Sequence, residues 1–196
     1  MNYPIIYKNF DGESKAISLN DYSFLKHREI NISEAITAEL AERVISQISY
    51  LEEQEGDDRI WINLNSAGGE VYAALAIIDK LKSTHCTSII TVRGLAASAA
   101  ALILSAGTFR RATVHSDIMV HQPRSEGSIG GTTVTDMETN AMHAIELKNK
   151  VAAILAENTG NTLKTILELT EKDYWLTPSQ AMEFGIIDEI EGAYNI

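Results

Sequence analysis

The sequence predicts an α/β fold in which helices cover a parallel β-sheet. Three observations carry that expectation. Strand-like and helix-like apolar patterns alternate from about residue 33 onward. The turns from strand into helix are built of very small residues, Ser66-Ala67-Gly68-Gly69 and Gly94-Leu95-Ala96-Ala97-Ser98. The 196 residues, 45% hydrophobic and 22% charged, suit one domain over residues 1–196. A chain of that size buries about two-thirds of its unfolded surface.

The elements follow in order. The first thirty residues are polar and irregular, and Asn9-Phe10-Asp11-Gly12 reads as a turn, so residues 1–18 form an arm or a short hairpin. From Ser33 to about Gln54 the stripe Ile36, Leu40, Val44, Ile48 and Leu51 predicts a helix, closed by Gly56-Asp57-Asp58. Ile60 to Leu64 is a short strand, broken by Asn65 to Gly69. Val71, Leu75, Ile78 and Leu81 then mark one face of a second helix. Cys86 to Val92 is a Thr- and Ile-rich strand ending at Arg93-Gly94, before a small-residue helix over about Ser98–Ser105. Strands resume at Ala112–Val114 and Asp117–His121. After a polar loop, Arg124 to Thr133, comes a long helix with the stripe Met137, Ala141, Ile145, Lys148, Ala152 and Leu155, stopped by Gly160. A short helix covers about Leu163–Leu169, and Tyr174-Trp175-Leu176 is strand-like. Thr177-Pro178 starts a helix, with Thr as N-cap and Pro at the first helical position. Gly185 stops it, and Ile186-Ile187 reads as a last strand.

Composition excludes several classes of function. Sixteen basic and 27 acidic side chains give a net charge of −11, which argues against binding a phosphate backbone. The single cysteine, Cys86, makes neither an internal disulfide nor a Cys-based zinc site. No His and carboxylate pair at helical spacing comes with a third ligand, so no metal is expected. Gly68-Gly69 lacks the Lys-Ser/Thr of a phosphate loop, so the chain itself is not expected to bind ATP. The start, Met1-Asn2-Tyr3-Pro4, is not a signal peptide. The uncharged run Gly94–Phe109 falls short of the roughly 20 apolar residues that span a bilayer. The expectation is a soluble cytoplasmic protein without membrane or nucleic-acid partners.

Ligand groups in open α/β sheets gather at the carboxyl ends of strands, and there the candidate chemistry lies. Ser98 opens a helix among Ala97, Ala99 and Ala100. An oxyanion forming at its Oγ would meet the unpaired Ala99 N–H and the positive end of the helix dipole. This is the strand–turn–helix logic of a nucleophile elbow without the G-x-S-x-G sequence; a Ser/Ala-rich helix packed on the sheet explains the same residues. Gly68 and Gly69 permit positive φ and close backbone approach, and their N–H groups can supply a second oxyanion donor or hold a peptide. A plain tight turn is the alternative. His121 ends a strand and can take a proton from Ser98, with His115 as a rival. An acid to orient the imidazole is offered by Asp117, Asp136, Asp173 and Asp188, and spacing does not choose among them.

Taken together, Asn65 to Gly69, Gly94 to Ser98, Ile118-Met119-Val120-His121-Gln122-Pro123 and Glu171-Lys172-Asp173 resemble the proteolytic subunits of Clp proteases. Asp21 to Arg28 and Ala181 to Asp188 extend the likeness over roughly residues 20–190 in unbroken order. The resemblance implies a crotonase-like α/β spiral of βαβ units with a protruding handle helix, about residues 122–158 with the helix at Val134–Asn158. Residues 1–18, the N-terminal arm, stand where the family has its axial loop but match it poorly. It implies a triad of nucleophile Ser98, base His121 and orienting Asp173, an oxyanion hole of Gly69 and Ala99 N–H groups, and substrate contacts at Gly68, Gly69, Gln122 and Pro123. Such subunits form two stacked heptameric rings that enclose the active sites. They need no cofactor and hydrolyse unfolded polypeptides delivered by a hexameric AAA+ ATPase. The sequence departs from the family pattern at Ala67 for a proline, at Ala99-Ala100 for Met-Gly, and at Asn63 for an aromatic of the ATPase docking pocket. Three other functions fit parts of the pattern: a phage head-maturation protease of Clp type, a non-catalytic ring partner of an active paralogue, and an acyl-CoA enzyme of the crotonase kind.

Overall fold

The computed structural model describes residues 5–10, 13–54, 56, 58–124 and 133–192. Strands β1 (Ile5–Phe10) and β2 (Glu13–Ser18) pair antiparallel as a two-stranded hairpin, the ordered alternative of the two expected for this arm. Helix α1 (Leu19–His27) follows, where the sequence predicts irregular chain. It buries no residue, so no apolar stripe announces it. Its start is a capping box, in which Ser18 Oγ accepts from the Asp21 N–H and the Asp21 carboxylate reaches back to Ser18. The sequence therefore carried a start signal without a periodic one.

A seven-stranded sheet forms the centre. Strand β3 (Glu29–Ile32) pairs parallel with β4 (Arg59–Ser66), and β4 with β5 (Thr87–Ala97). Strand β6 (Phe109–Thr113) pairs with β5 and β9 (Glu189–Glu191), also in parallel. Strand β7 (Asp117–Val120) continues beside the far half of β5, and β8 (Tyr174–Leu176) closes on β7 antiparallel. The sheet is thus parallel except at this last pair.

Several strands differ from expectation: β3 was not expected, β6 starts at Phe109 rather than Ala112, and β5 and β9 have other bounds. β5 does not end at Arg93-Gly94 but runs on to Ala97. Gly94 takes φ +112°, which turns the strand away from β6 and onto β7. The Gly94 and Leu95 N–H groups are satisfied by Ser116 Oγ and Asn65 Oδ1, so the chain stays extended through the bend. The last strand is Glu189–Glu191, not Ile186-Ile187. Those isoleucines are buried in the turn after α7 (Pro178–Phe184), where the Ile186 N–H bonds the Ala181 carbonyl. Apolar burial alone did not distinguish a packed turn from a strand.

The helices lie largely where the apolar stripes put them. α2 (Ala38–Glu52) starts at the Thr37 cap, later than Ser33. The intervening Ile36 is buried in a bridge to the glycine turn: its N–H bonds the Gly68 carbonyl, and its carbonyl accepts from the Glu70 N–H. α3 (Val71–Ser83), α4 (Ala99–Ser105) and α6 (Leu163–Leu169) pack around the sheet core of Ile30, Ile32, Ile60, Ile62, Leu64 and Ile90, to which α4 adds Ile103. α5 (Val134–Thr159) begins with a Thr133/Asp136 capping box and ends at Gly160 in the left-handed region. Its C-terminal part buries Val151, Ala152 and Leu155 in the core, whereas residues 133–146 are exposed, so the first half stands off the body. Among the described residues no helix is long and apolar enough to cross a membrane.

Candidate active site

The carboxyl end of β5 turns sharply into α4, and Ser98 sits on the turn at φ 56°, ψ −122°. Such backbone is costly for a residue with a Cβ and persists only where neighbours over-determine it. Here the Ser98 N–H donates to the Met119 carbonyl of β7, and its own carbonyl accepts from Leu102. The adjoining Ala99, Ala100 and Ala101 are buried against the sheet, so no bulk lets the turn relax. Ser98 makes no side-chain cap, which leaves its hydroxyl directed to another partner.

That partner is His121, just past the end of β7. His121 Nε2 lies 2.7 Å from Ser98 Oγ, and Nδ1 lies 3.0 Å from Asp173 Oδ1. A carboxylate only accepts, so Nδ1 carries the proton and the bare Nε2 accepts from the serine hydroxyl. Two bonds from Gln122 pin the β7 end to the turn between α6 and β8. Its N–H donates to the Thr170 carbonyl at 2.8 Å, and its Nε2 to the Glu171 carbonyl at 3.3 Å. They bring Asp173, 52 residues further along the chain, to the imidazole.

The remaining acids lie elsewhere. Asp117 opens β7 opposite Leu95, Asp136 caps α5, and Asp188 binds Arg110. His115 is exposed in the turn between β6 and β7. His143 Nε2 lies 2.6 Å from the Tyr72 hydroxyl. Among the described residues no cluster of His, Cys, Asp or Glu is arranged to hold a metal ion.

The glycine turn faces the serine from the neighbouring strand, β4. A Cβ on Gly68 would stand 2.8 Å from Ser98 Cβ and 2.6 Å from the Ala97 carbonyl oxygen, so only glycine fits against the elbow. A Cβ on Gly69 would strike the Ile36 carbonyl oxygen at 2.3 Å, which makes the Ile36 bridge the backstop of this loop. The Gly68 N–H is already given to Ser66 Oγ. The N–H groups of Gly69 and Ala99 bond no described residue, so both are open to an incoming oxygen. Beside Ser98 a recess of about 20 Å³ is lined by apolar Val71, Leu102, Val120, Pro123, Val151 and Leu155.

Asp173 has a second partner that nothing in the sequence marks. Arg124, on the loop after Pro123, reaches the same Oδ1 at 2.5 Å. Its hydrogen bond is the main reason Asp173 titrates below the usual carboxylate range; partial burial works the other way, and His121 adds to the lowering.

Comparison with known proteins gives this geometry its setting. A family model described as Clp protease matches residues 13–193. The chain belongs to the Clp protease family. It is 35% identical over 190 residues to ATP-dependent Clp protease proteolytic subunit 1 of Prochlorococcus marinus (strain MIT 9312), covering 94% of both chains. It is likewise 35% identical over 168 residues to the ATP-dependent Clp protease proteolytic subunit of Streptococcus pyogenes (serotype M5, strain Manfredo), covering 85% of both. The fold is accordingly that of a Clp peptidase, and the chain is an enzyme, a serine protease.

Proposed function

We propose that this Clp peptidase cleaves peptide bonds of unfolded polypeptides with Ser98 as nucleophile, His121 as general base and Asp173 as the group that orients it. The observation that carries the assignment is the unbroken hydrogen-bond chain from Ser98 Oγ through the imidazole to Asp173 Oδ1, at 2.7 and 3.0 Å. Ser98 Oγ attacks the scissile carbonyl carbon while its proton passes to His121 Nε2. The tetrahedral oxyanion accepts hydrogen bonds from the Gly69 and Ala99 N–H groups, each typically worth ~2.7–4 kcal/mol of barrier. Collapse breaks the C–N bond, and the imidazolium gives its proton to the departing amine. Water then attacks the acyl-serine with His121 again as base, releasing the acid and restoring the hydroxyl.

The apolar recess of about 20 Å³ has room for only a small apolar group of the substrate, and the peptide lies extended along the Gly68-Gly69 turn, with Gln122 and Pro123 on its other side. No deep pocket restricts the substrate at Ser98, so selection falls to access. We infer a homo-oligomeric chamber of two stacked heptameric rings in the cytoplasm, supplied by an AAA+ Clp ATPase and needing no cofactor. The relatives' description as ATP-dependent supports the ATPase. In this assembly residues 1–196 act as one peptidase domain. Residues 1–18 form its axial part, and residues 122–158 are the handle that joins the rings. Val134, Met142 and Ile145, exposed on α5, suit burial between rings. The alignment of all three side chains favours an active subunit over a non-catalytic ring partner.

Labelling with a fluorophosphonate tests the assignment. One adduct per chain is expected, located at Ser98 and lost in Ser98→Ala. Labelling that survives the substitution overturns the proposal, and a stable monomer on sedimentation overturns the chamber.

A further inference from the structure

We propose that Arg124 is a positioning residue that restrains the triad by sharing Asp173 Oδ1 with His121. This rests on the assignment of Ser98, His121 and Asp173 as the catalytic residues. Two cationic or proton-donating groups converge on a single oxygen. Arg124 Nη2 stands 2.5 Å from Oδ1 and His121 Nδ1 stands 3.0 Å from the same atom. Asp173 Oδ2 bonds no described residue, so the two donors are not divided between the two oxygens.

The contact follows from local structure. Gln122 is tied to the carbonyls of Thr170 and Glu171, so the residue two positions on leaves the loop beside the Asp173 turn. Charged and titratable groups near the carboxylate come from three places: His121 at the end of β7, Arg124 on the loop, and Glu171, Lys172 and Tyr174 flanking Asp173. Of these, His121 and Arg124 are the ones that bond it among the described residues.

Attack by Ser98 turns His121 into an imidazolium, and the nearby carboxylate stabilises that charge. A guanidinium on the same oxygen neutralises part of the carboxylate and repels the new cation. Arg124 therefore acts against the transition state while leaving substrate contacts alone. Its side chain is 67% exposed, which screens the effect and keeps it modest.

The test measures hydrolysis of a short fluorogenic peptide by the full-length protein and its Arg124→Gln, Arg124→Lys and Ser98→Ala variants. Arg124→Gln removes the charge and keeps a hydrogen-bond donor. Its kcat is expected to rise about two- to five-fold at unchanged KM, the range of an exposed ion pair. The acid limb of kcat/KM is expected to move to higher pH by roughly 0.2–0.7 units. Arg124→Lys retains the charge and stays within about two-fold of the parent. The proposal is overturned if Arg124→Gln leaves kcat and the acid limb unchanged or lowers kcat, or if Arg124→Lys rises as much as Arg124→Gln. Residual hydrolysis by Ser98→Ala instead refutes the triad itself, so the two failures are told apart.

Discussion

Among the described residues, Asp173 holds Arg124 and Asp188 holds Arg110. Arg110 is 13% exposed and Asp188 31%. The guanidinium takes both carboxylate oxygens, Nε to Oδ2 and Nη2 to Oδ1, and the Arg110 N–H adds a third bond. Arg110 Nη1 also reaches the carbonyls of Asn158 and Gly185, so one side chain ties β6 to the ends of α5 and α7. Arg124 is 67% exposed and reaches one oxygen of Asp173, an oxygen that His121 also uses. The residue types are the same, and the surroundings give them different work. A forked, half-covered pair joins elements of the fold, while a pair left open on one side keeps a carboxylate available to a histidine.

The sharpest way to break this contrast is to neutralise each aspartate in turn. Asp173→Asn should cut kcat by about 10⁴-fold, because the amide no longer fixes the imidazole tautomer or balances the imidazolium. Its folding stability should change by no more than about 0.5 kcal/mol, as expected of an exposed side chain. Steady-state kinetics beside a thermal melt checks both. Asp188→Asn should behave in the opposite sense. It leaves the largely covered Arg110 without its counter-charge, and about 1–3 kcal/mol of stability should be lost. At this chain length that lowers Tm by roughly 2–4 °C for each kcal/mol. Activity per folded molecule should stay near that of the parent. Equal destabilisation by the two substitutions would erase the distinction.

Sequence patterns reached much of this, unevenly. Stripes with a buried face placed α2, α3 and the C-terminal part of α5, since burial and periodicity are one fact seen twice, whereas Met137, Ala141 and Ile145 of the α5 stripe are exposed. α1 escaped because it has no buried face, and Ile186-Ile187 misled because a packed turn is as apolar as a strand. Ser98 and His121 were legible as strand-end residues. Asp173 was not separable from Asp117, Asp136 and Asp188 by spacing, because the Gln122 bonds that carry it to His121 join segments far apart in the chain. The family likeness supplied that choice. Ile36 behind Gly69 and Arg124 on Asp173 had no signal at all: one acts through its backbone, the other as a lone charge in a polar loop.

Acid pH offers the finest test of the contrast. Burial is the largest single influence on Asp188 and pushes its carboxyl upward. The side-chain and backbone bonds from Arg110 together outweigh it, so the group titrates below its ordinary value. A carboxylate depressed in the folded state stabilises fully above the unfolded value near 3.9 and loses that contribution as pH falls through the folded value. The Tm gap between the parent and Asp188→Asn should therefore hold steady from pH 7 to about 5 and shrink only below about 4. Asp173 is shifted in the same direction but is 39% exposed, so solvent screens it. The Tm gap for Asp173→Asn should be small at every pH. If instead the Asp188→Asn gap closes between pH 7 and 5, a group of higher pKa governs the Arg110 junction.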